Sequence, residues 1–253
     1  MAIRNIRVIG LVIAAWFALT RTTPAQVATP TTAAAGVVQR ALAAHGPKWV
    51  TGEIADWVAE GKITYFNANG PQATFDVTVT RKGKSQVQRV VRQPAVEVRV
   101  GSDGAHAWDS LGGFFTLKAQ GHALQFIESQ TTRSLQALFN YQAEGLTLRD
   151  QGQSGNTRVI EAEDKQGRKT SYFVDDATSA VTRLEFMTGE AKDPFSGRMV
   201  PTTDSYVPSD YRSVQAVLTP FKIERYINGI KTEEMQLSSV RYNASVQDDA
   251  FKP

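Results

Sequence analysis

Cysteine is absent from the 253 residues, so no disulfide staples the fold, and thiolate metal sites and a cysteine nucleophile are excluded. The lipid-carrying cysteine of a bacterial lipoprotein leader is missing for the same reason. Histidine is nearly absent too. His45, His106 and His122 give no H-x-x-x-H spacing, and without cysteine a zinc site would need distant carboxylates. Nor does the chain contain a G-x-S-x-G elbow, a phosphate-binding glycine loop or a dinucleotide fingerprint. Two adjacent carboxylate pairs occur, Asp175-Asp176 and Asp248-Asp249, but neighbours on a strand point to opposite faces and cannot serve as an acid/base dyad. The expectation is a chain with no catalytic residues, no cofactor and no metal.

A long apolar run is also lacking. Arg4 and Arg7 precede an apolar stretch from Val8 to Leu19, followed by Thr23-Pro24-Ala25. That order is the order of a secretory signal peptide, and the stretch falls short of the roughly 20 residues a transmembrane helix needs. The expectation is a leader over 1–25, cleaved near Ala25, a flexible lead-in over 26–35 and a single domain over 36–253, with no transmembrane span in the mature chain. The leader takes Arg4, Arg7 and Arg21 with it, so Lys+Arg falls from 28 by three to 25 against an Asp+Glu of 25. The remainder is formally neutral, which removes the compositional case for nucleic-acid binding.

What is present is mostly period two. Phe75, Val77 and Val79 alternate with Thr74, Asp76, Thr78 and Thr80, and Val96, Val98 and Val100 with Glu97 and Arg99. One apolar and one polar face is the pattern of an antiparallel sheet covered on one side. After Gly145 the same pattern returns over 158–163, 169–174, 180–187, 205–211, 217–226 and 232–242. Arg81-Lys82-Gly83-Lys84, Asp175-Asp176-Ala177-Thr178 and Asn228-Gly229 punctuate it as turns, the last a strong type I′ signal. Helical spacing places Val38, Ala41 and Leu42 on one face of a helix from Gly36 to about His45, ended by Gly46-Pro47. The segment around Trp49, Val50, Ile54 and Trp57 is ambiguous. Between Ala123 and Gln142, Leu124, Ile127, Thr131, Leu135 and Leu138 form one apolar stripe, which predicts a single helix.

Two groups of residues resemble the LolA-like and LolB-like lipoprotein-sorting proteins of the bacterial envelope. The first is Ser102-Asp103-Gly104-Ala105-His106-Ala107-Trp108-Asp109, similar to that family's S-D-G-x-x-x-W turn and strand. The second is Tyr211-Arg212-Ser213-Val214, Pro220-Phe221-Lys222-Ile223-Glu224-Arg225, Asn228-Gly229 and the closing Asp248-Asp249-Ala250-Phe251-Lys252-Pro253. With the leader, the resemblance spans most of the chain. It implies an incomplete, unclosed antiparallel β-barrel, mainly β with a few helices covering the concave face. It also implies a periplasmic carrier of lipoprotein acyl chains or other lipid.

On that basis Phe75, Val77 and Val79 of the sheet, with Leu124, Ile127, Leu135, Leu138 and Phe139 of the helix, are expected to line an apolar ligand cavity. An acyl chain suits such a cavity because each methylene removed from water is worth about 0.8 kcal/mol and asks for no directional partner. If the helices fill the concave face, the same residues are ordinary core. Two other classes stay open: an envelope-stress sensor that binds a partner protein at a sheet edge, and a hydrolase without a recognisable motif.

Overall fold

The computed structural model describes residues 32–117, 119, 121–192 and 198–253; the leader expected over 1–25 and the lead-in up to residue 31 lie outside them. Helix α1 (Thr32–His45) starts four residues before the expected Gly36, because Ala33, Ala34 and Ala35 are strong helix formers that add a turn. Its face of Ala34, Val37, Val38 and Ala41 is buried. The helix stops at Gly46, whose φ of +100° and 2.8 Å approach of a would-be Cβ to the Ala216 carbonyl both require glycine. The ambiguous segment resolves into a single turn, α2 (Lys48–Thr51), and the start of strand β1 (Asp56–Asn67), to which Trp57 belongs.

Six strands precede the central helices: β1, then β2 (Gly70–Lys82), β3 (Gln86–Arg92), β4 (Glu97–Asp103), β5 (Ala107–Leu111) and β6 (Phe114–Leu117). Seven follow: β7 (Thr147–Ser154), β8 (Thr157–Glu163), β9 (Lys169–Asp175), β10 (Val181–Lys192), β11 (Met199–Val214), β12 (Val217–Ile227) and β13 (Ile230–Tyr242). All join one antiparallel 13-stranded sheet in the order β6-β5-β4-β3-β2-β1-β13-β12-β11-β10-β9-β8-β7. The chain thus forms two meanders joined where β1 pairs with β13, and β6 and β7 are left as the two edges. The fold is an unclosed antiparallel barrel with helices over its concave face. The Asn228-Gly229 turn has φ values of +50° and +77°, the two left-handed residues that a type I′ hairpin needs.

The single helix expected over 123–142 is three helices: α3 (Gly121–Gln130), α4 (Leu135–Phe139) and α5 (Tyr141–Glu144). Hydroxyl side chains break it. Ser129 Oγ donates to the Phe126 carbonyl and Thr131 Oγ1 to the Ile127 carbonyl, each at 2.7 Å. Ser134 then restarts the helix as a cap, its Oγ accepting the Ala137 N–H at 3.2 Å. Such groups offer the backbone alternatives to helical bonding, and an apolar stripe alone does not register them.

The break divides the concave side into two cores. Helices α1 and α4 pack on β7 to β11 through Val38, Leu138, Phe139, Leu148, Ile160 and Tyr172. Helix α3 packs on the other meander through Phe126 and Ile127 against Val77, Val79, Val87, Val91 and Val100. Trp49 and Ile223 touch both cores. On the opposite side of the sheet, the Trp108 indole lies over Gly101, where a Cβ would sit 2.5 Å from its ring. Trp108 Nε1 donates to the carbonyl of Phe251 at 2.9 Å, so a short 3-10 helix, Asp248–Phe251, seals that indole from solvent.

Candidate functional site

Between the two cores the concave face is left incompletely filled. A cavity of about 130 Å³ opens there, floored by Trp57 and Ala59 of β1, Tyr206 and Pro208 of β11, Ile223 of β12 and Leu237, Val240 and Tyr242 of β13. Its roof is Trp49 of α2, the 129–134 turn and Leu135 and Gln136 of α4. The helix break supplies part of this roof, from Ser129 and Gln130 at the end of α3 to Ser134, Leu135 and Gln136 at the start of α4.

The polar atoms of the wall are mostly turned to partners within the protein. Ser134 Oγ donates to the Thr131 carbonyl at 2.7 Å, and Thr219 Oγ1 and the Tyr242 hydroxyl bond each other at 2.8 Å. Trp49 stands edge-on to Tyr242, with ring centroids 5.8 Å apart. The surface left over is chiefly hydrocarbon, with the buried Nε1 atoms of Trp49 and Trp57 lacking a partner. Burial raises the Tyr242 phenol to about 12, the bond from Thr219 opposing it, and burial raises Tyr206 further, so neither serves as a base near neutral pH.

Of the eight residues expected to line a cavity, Leu135 borders this one, Ile127 a neighbouring hollow and Leu124 a third. Leu138 and Phe139 are packed into the core under α1 and α4, while Val77, Val79 and Ile127 lie in the core under α3, with Phe75 half-buried beside them. Leu124 is 38% exposed on the outer side of α3. The sequence pattern placed all of these on the concave side, but the alternation that marks an inward row cannot say which members meet a helix and which meet a gap.

At one end of the concave face lies a buried ionic cluster. Arg225 binds Asp204 through Nη2 at 2.7 Å and Glu233 through Nη1 at 3.2 Å, and Arg89 reaches Glu233 at 3.0 Å. The same Arg225 Nη2 donates to Gln125 Oε1 of α3 at 2.6 Å and lies 3.3 Å from His122 Nδ1. Burial acts to raise the Glu233 carboxyl, but the charges of Arg89 and Arg225 hold it below the usual carboxylate range. Every charge here has its counter-charge, so the cluster fastens α3 to the sheet.

Arg81 differs, and the reading of 81–84 as a turn passed over it. Period two carries the row Phe75, Val77, Val79 on to residue 81, which sets the guanidinium on the concave side where it lines the cavity. Extending the alternation by one step would have found it.

No family model matches the sequence, and no curated protein matches it. Solved structures share its fold. A domain provisionally assigned to outer-membrane lipoprotein sorting from Vibrio parahaemolyticus is 15% identical, with a TM-score of 0.55 over 86% of this chain and 95% of that one. A DUF1329 family protein from Desulfovibrio piger is 14% identical, with a TM-score of 0.57 over 89% of this chain and 98% of that one. A LolA superfamily protein from Nitrosomonas europaea is 12% identical, with a TM-score of 0.55 over 87% of this chain and 97% of that one.

Proposed function

We propose that this protein is a non-catalytic carrier, exported to the periplasm after loss of its leader near Ala25, that shelters acyl chains of lipoproteins or other lipids. The observation that carries the reading is the hydrocarbon-walled cavity at the seam of a fold shared with lipoprotein-sorting domains. At about 130 Å³ it is close in size to an engineered apolar cavity of about 150 Å³ that stays dry and takes up benzene. It admits part of an acyl chain as it stands. A longer chain requires the roof to shift, and a four-residue and a five-residue helix have little stability of their own to resist that.

Catalysis is not supported by this wall. Among the described residues its ionisable groups are Arg81 and two tyrosines, with no carboxylate, histidine or lysine to move a proton. A second reading, a sensor that binds a partner protein, draws on the edge strand β6, where Phe114 is 86% exposed beside Leu111 at 59%.

The test is titration of a fluorescent fatty-acyl probe against wild type and against Ala59→Phe, which places a ring in the void. Saturable uptake by wild type, weakened in a folded Ala59→Phe variant, is expected. A folded wild type that takes up no apolar probe overturns the carrier reading and favours the sensor.

A further inference from the structure

Among the described residues four arginines are buried: Arg81 at 5%, Arg89 at 7%, Arg133 at 6% and Arg225 at 2% exposure. Three are paired with a carboxylate, Arg89 with Glu233, Arg133 with Glu128 and Arg225 with Asp204. Arg81 is not. Its Nη2 makes one hydrogen bond, to the Lys84 carbonyl at 3.3 Å, and its buried Nε has no partner. The nearest acidic influence is Glu144, but that carboxylate is bound to Lys84 Nζ at 2.6 Å. Desolvation therefore pulls the guanidinium down to about 10, against an opposing influence of Glu144. A buried charge left without a counter-ion is costly, and a purely structural role does not account for retaining one.

Arg81 lines the apolar cavity and also a neighbouring, more polar hollow of about 220 Å³, whose wall carries Ser85, Ser102, Thr131 and Thr132, the Lys84–Glu144 ion pair, and Ile127 and Ala137. Gln136 of α4 faces both spaces as well. A hydrocarbon compartment thus adjoins one of mixed polarity, with a guanidinium that has no carboxylate partner at the junction and the only carboxylate of the second wall, Glu144, neutralised by Lys84.

We propose that Arg81 is the anchor for an acidic head group, and that the ligand is an amphiphile with an ionised carboxylate or phosphate on an alkyl tail. This rests on the reading of the apolar cavity as an acyl site and narrows it. A chain joined to a protein by an ester or amide has no charge at its head, so the anchor favours a free fatty acid or a phosphate-headed lipid. The guanidinium fork matches either oxyanion with two parallel N–H donors.

Laurate, dodecyl phosphate and dodecanol share one tail and differ in the head, so their affinities for wild type, Arg81→Met and Arg81→Lys decide the matter. They are measured at pH 8 by displacement of the fluorescent acyl probe. Wild type should bind the better of the two acids at least about tenfold tighter than dodecanol, the scale of a hydrogen bond to a charged group. Which acid wins assigns the head as carboxylate or phosphate. Arg81→Met should lose that margin and keep its affinity for dodecanol, while Arg81→Lys should retain part of it. Equal affinity of wild type for all three overturns the anchor and leaves the apolar cavity standing; displacement by none of them overturns both. Should Arg81→Met fail to fold, the comparison on wild type still decides.

Discussion

His45 Nε2 accepts the backbone N–H of Val181 at 3.0 Å, so the last residue of α1 is fastened to the first residue of β10 across 136 positions of chain. The ring is fully buried, between Phe139 with centroids 5.5 Å apart and Tyr211 at 5.4 Å. An accepting Nε2 leaves the proton on Nδ1, so the imidazole is held neutral. Burial lowers its pKa from 6.5 to about 4.

Stability should therefore fall in mild acid. Between pH 6.5 and 4 the unfolded chain binds a proton at His45 that the folded chain refuses, so unfolding gains as pH drops. The contribution is fully present above about pH 6.5 and is lost by about pH 4, on the order of 3 kcal/mol in all. Melting temperature against pH, measured for wild type and His45→Gln, checks this: the variant keeps an acceptor for Val181 but should show a flatter profile across that window. An unchanged slope would remove His45 as the cause.

Leu135 and Leu138 lie one helical turn apart and should respond differently to truncation. Leu138 is fully buried in the core, so Leu138→Ala should cost about 2–5 kcal/mol in a denaturant titration. Leu135 already faces a void and lacks neighbours on one side, so Leu135→Ala should cost less, about 1 kcal/mol. Leu138→Glu, placing a carboxylate in that core without a partner, should not fold. Equal costs for the two alanine variants would mean the cavity is closed in solution.

Removing Arg225 should strand Asp204, which is fully buried. Arg225→Met is expected to destabilise by about 3–5 kcal/mol, and adding Asp204→Asn should recover part of that loss, because the residual charge rather than the lost contact carries the cost. Strict additivity of the two changes in a double-mutant cycle would argue against coupling.

Gly101→Ala should displace the indole of Trp108, since the new methyl would lie 2.5 Å from the ring. The expected cost is about 1–3 kcal/mol, the scale of overpacking, accompanied by a red shift in tryptophan emission as the Phe251 seal loosens. Unaltered emission with full stability would show that the C-terminal segment does not hold the ring in place.

The sheet was largely legible because its evidence is local. Alternation in β2 and β4 and the Asn228-Gly229 pair each need only a few adjacent residues to be read. Strand β1 was missed for a physical reason. Its alternation is interrupted at Gly61, where β13 comes so close that a Cβ would stand 2.2 Å from the Gln236 carbonyl, and a bulge falls at Glu60/Gly61. Strand β3 hides as well, since its adjacent polar residues Gln88 and Arg89 fall on opposite faces and both are buried, which leaves no alternation to read. The cavity has no local signature at all. Its wall takes Trp49 and Tyr242, nearly two hundred positions apart, and residues on either side of a helix break that the apolar stripe concealed.

The seam has a kinetic consequence. Each pairing other than β1 with β13 joins strands consecutive in the chain, so both meanders can zip up through hairpins with short loops. The nine residue pairs from Trp57↔Tyr242 to Tyr65↔Glu233 alone must close a loop most of the chain long, at an entropic cost the hairpins never meet. Refolding should therefore be limited by the docking of two preassembled halves, and the cavity at their seam forms last.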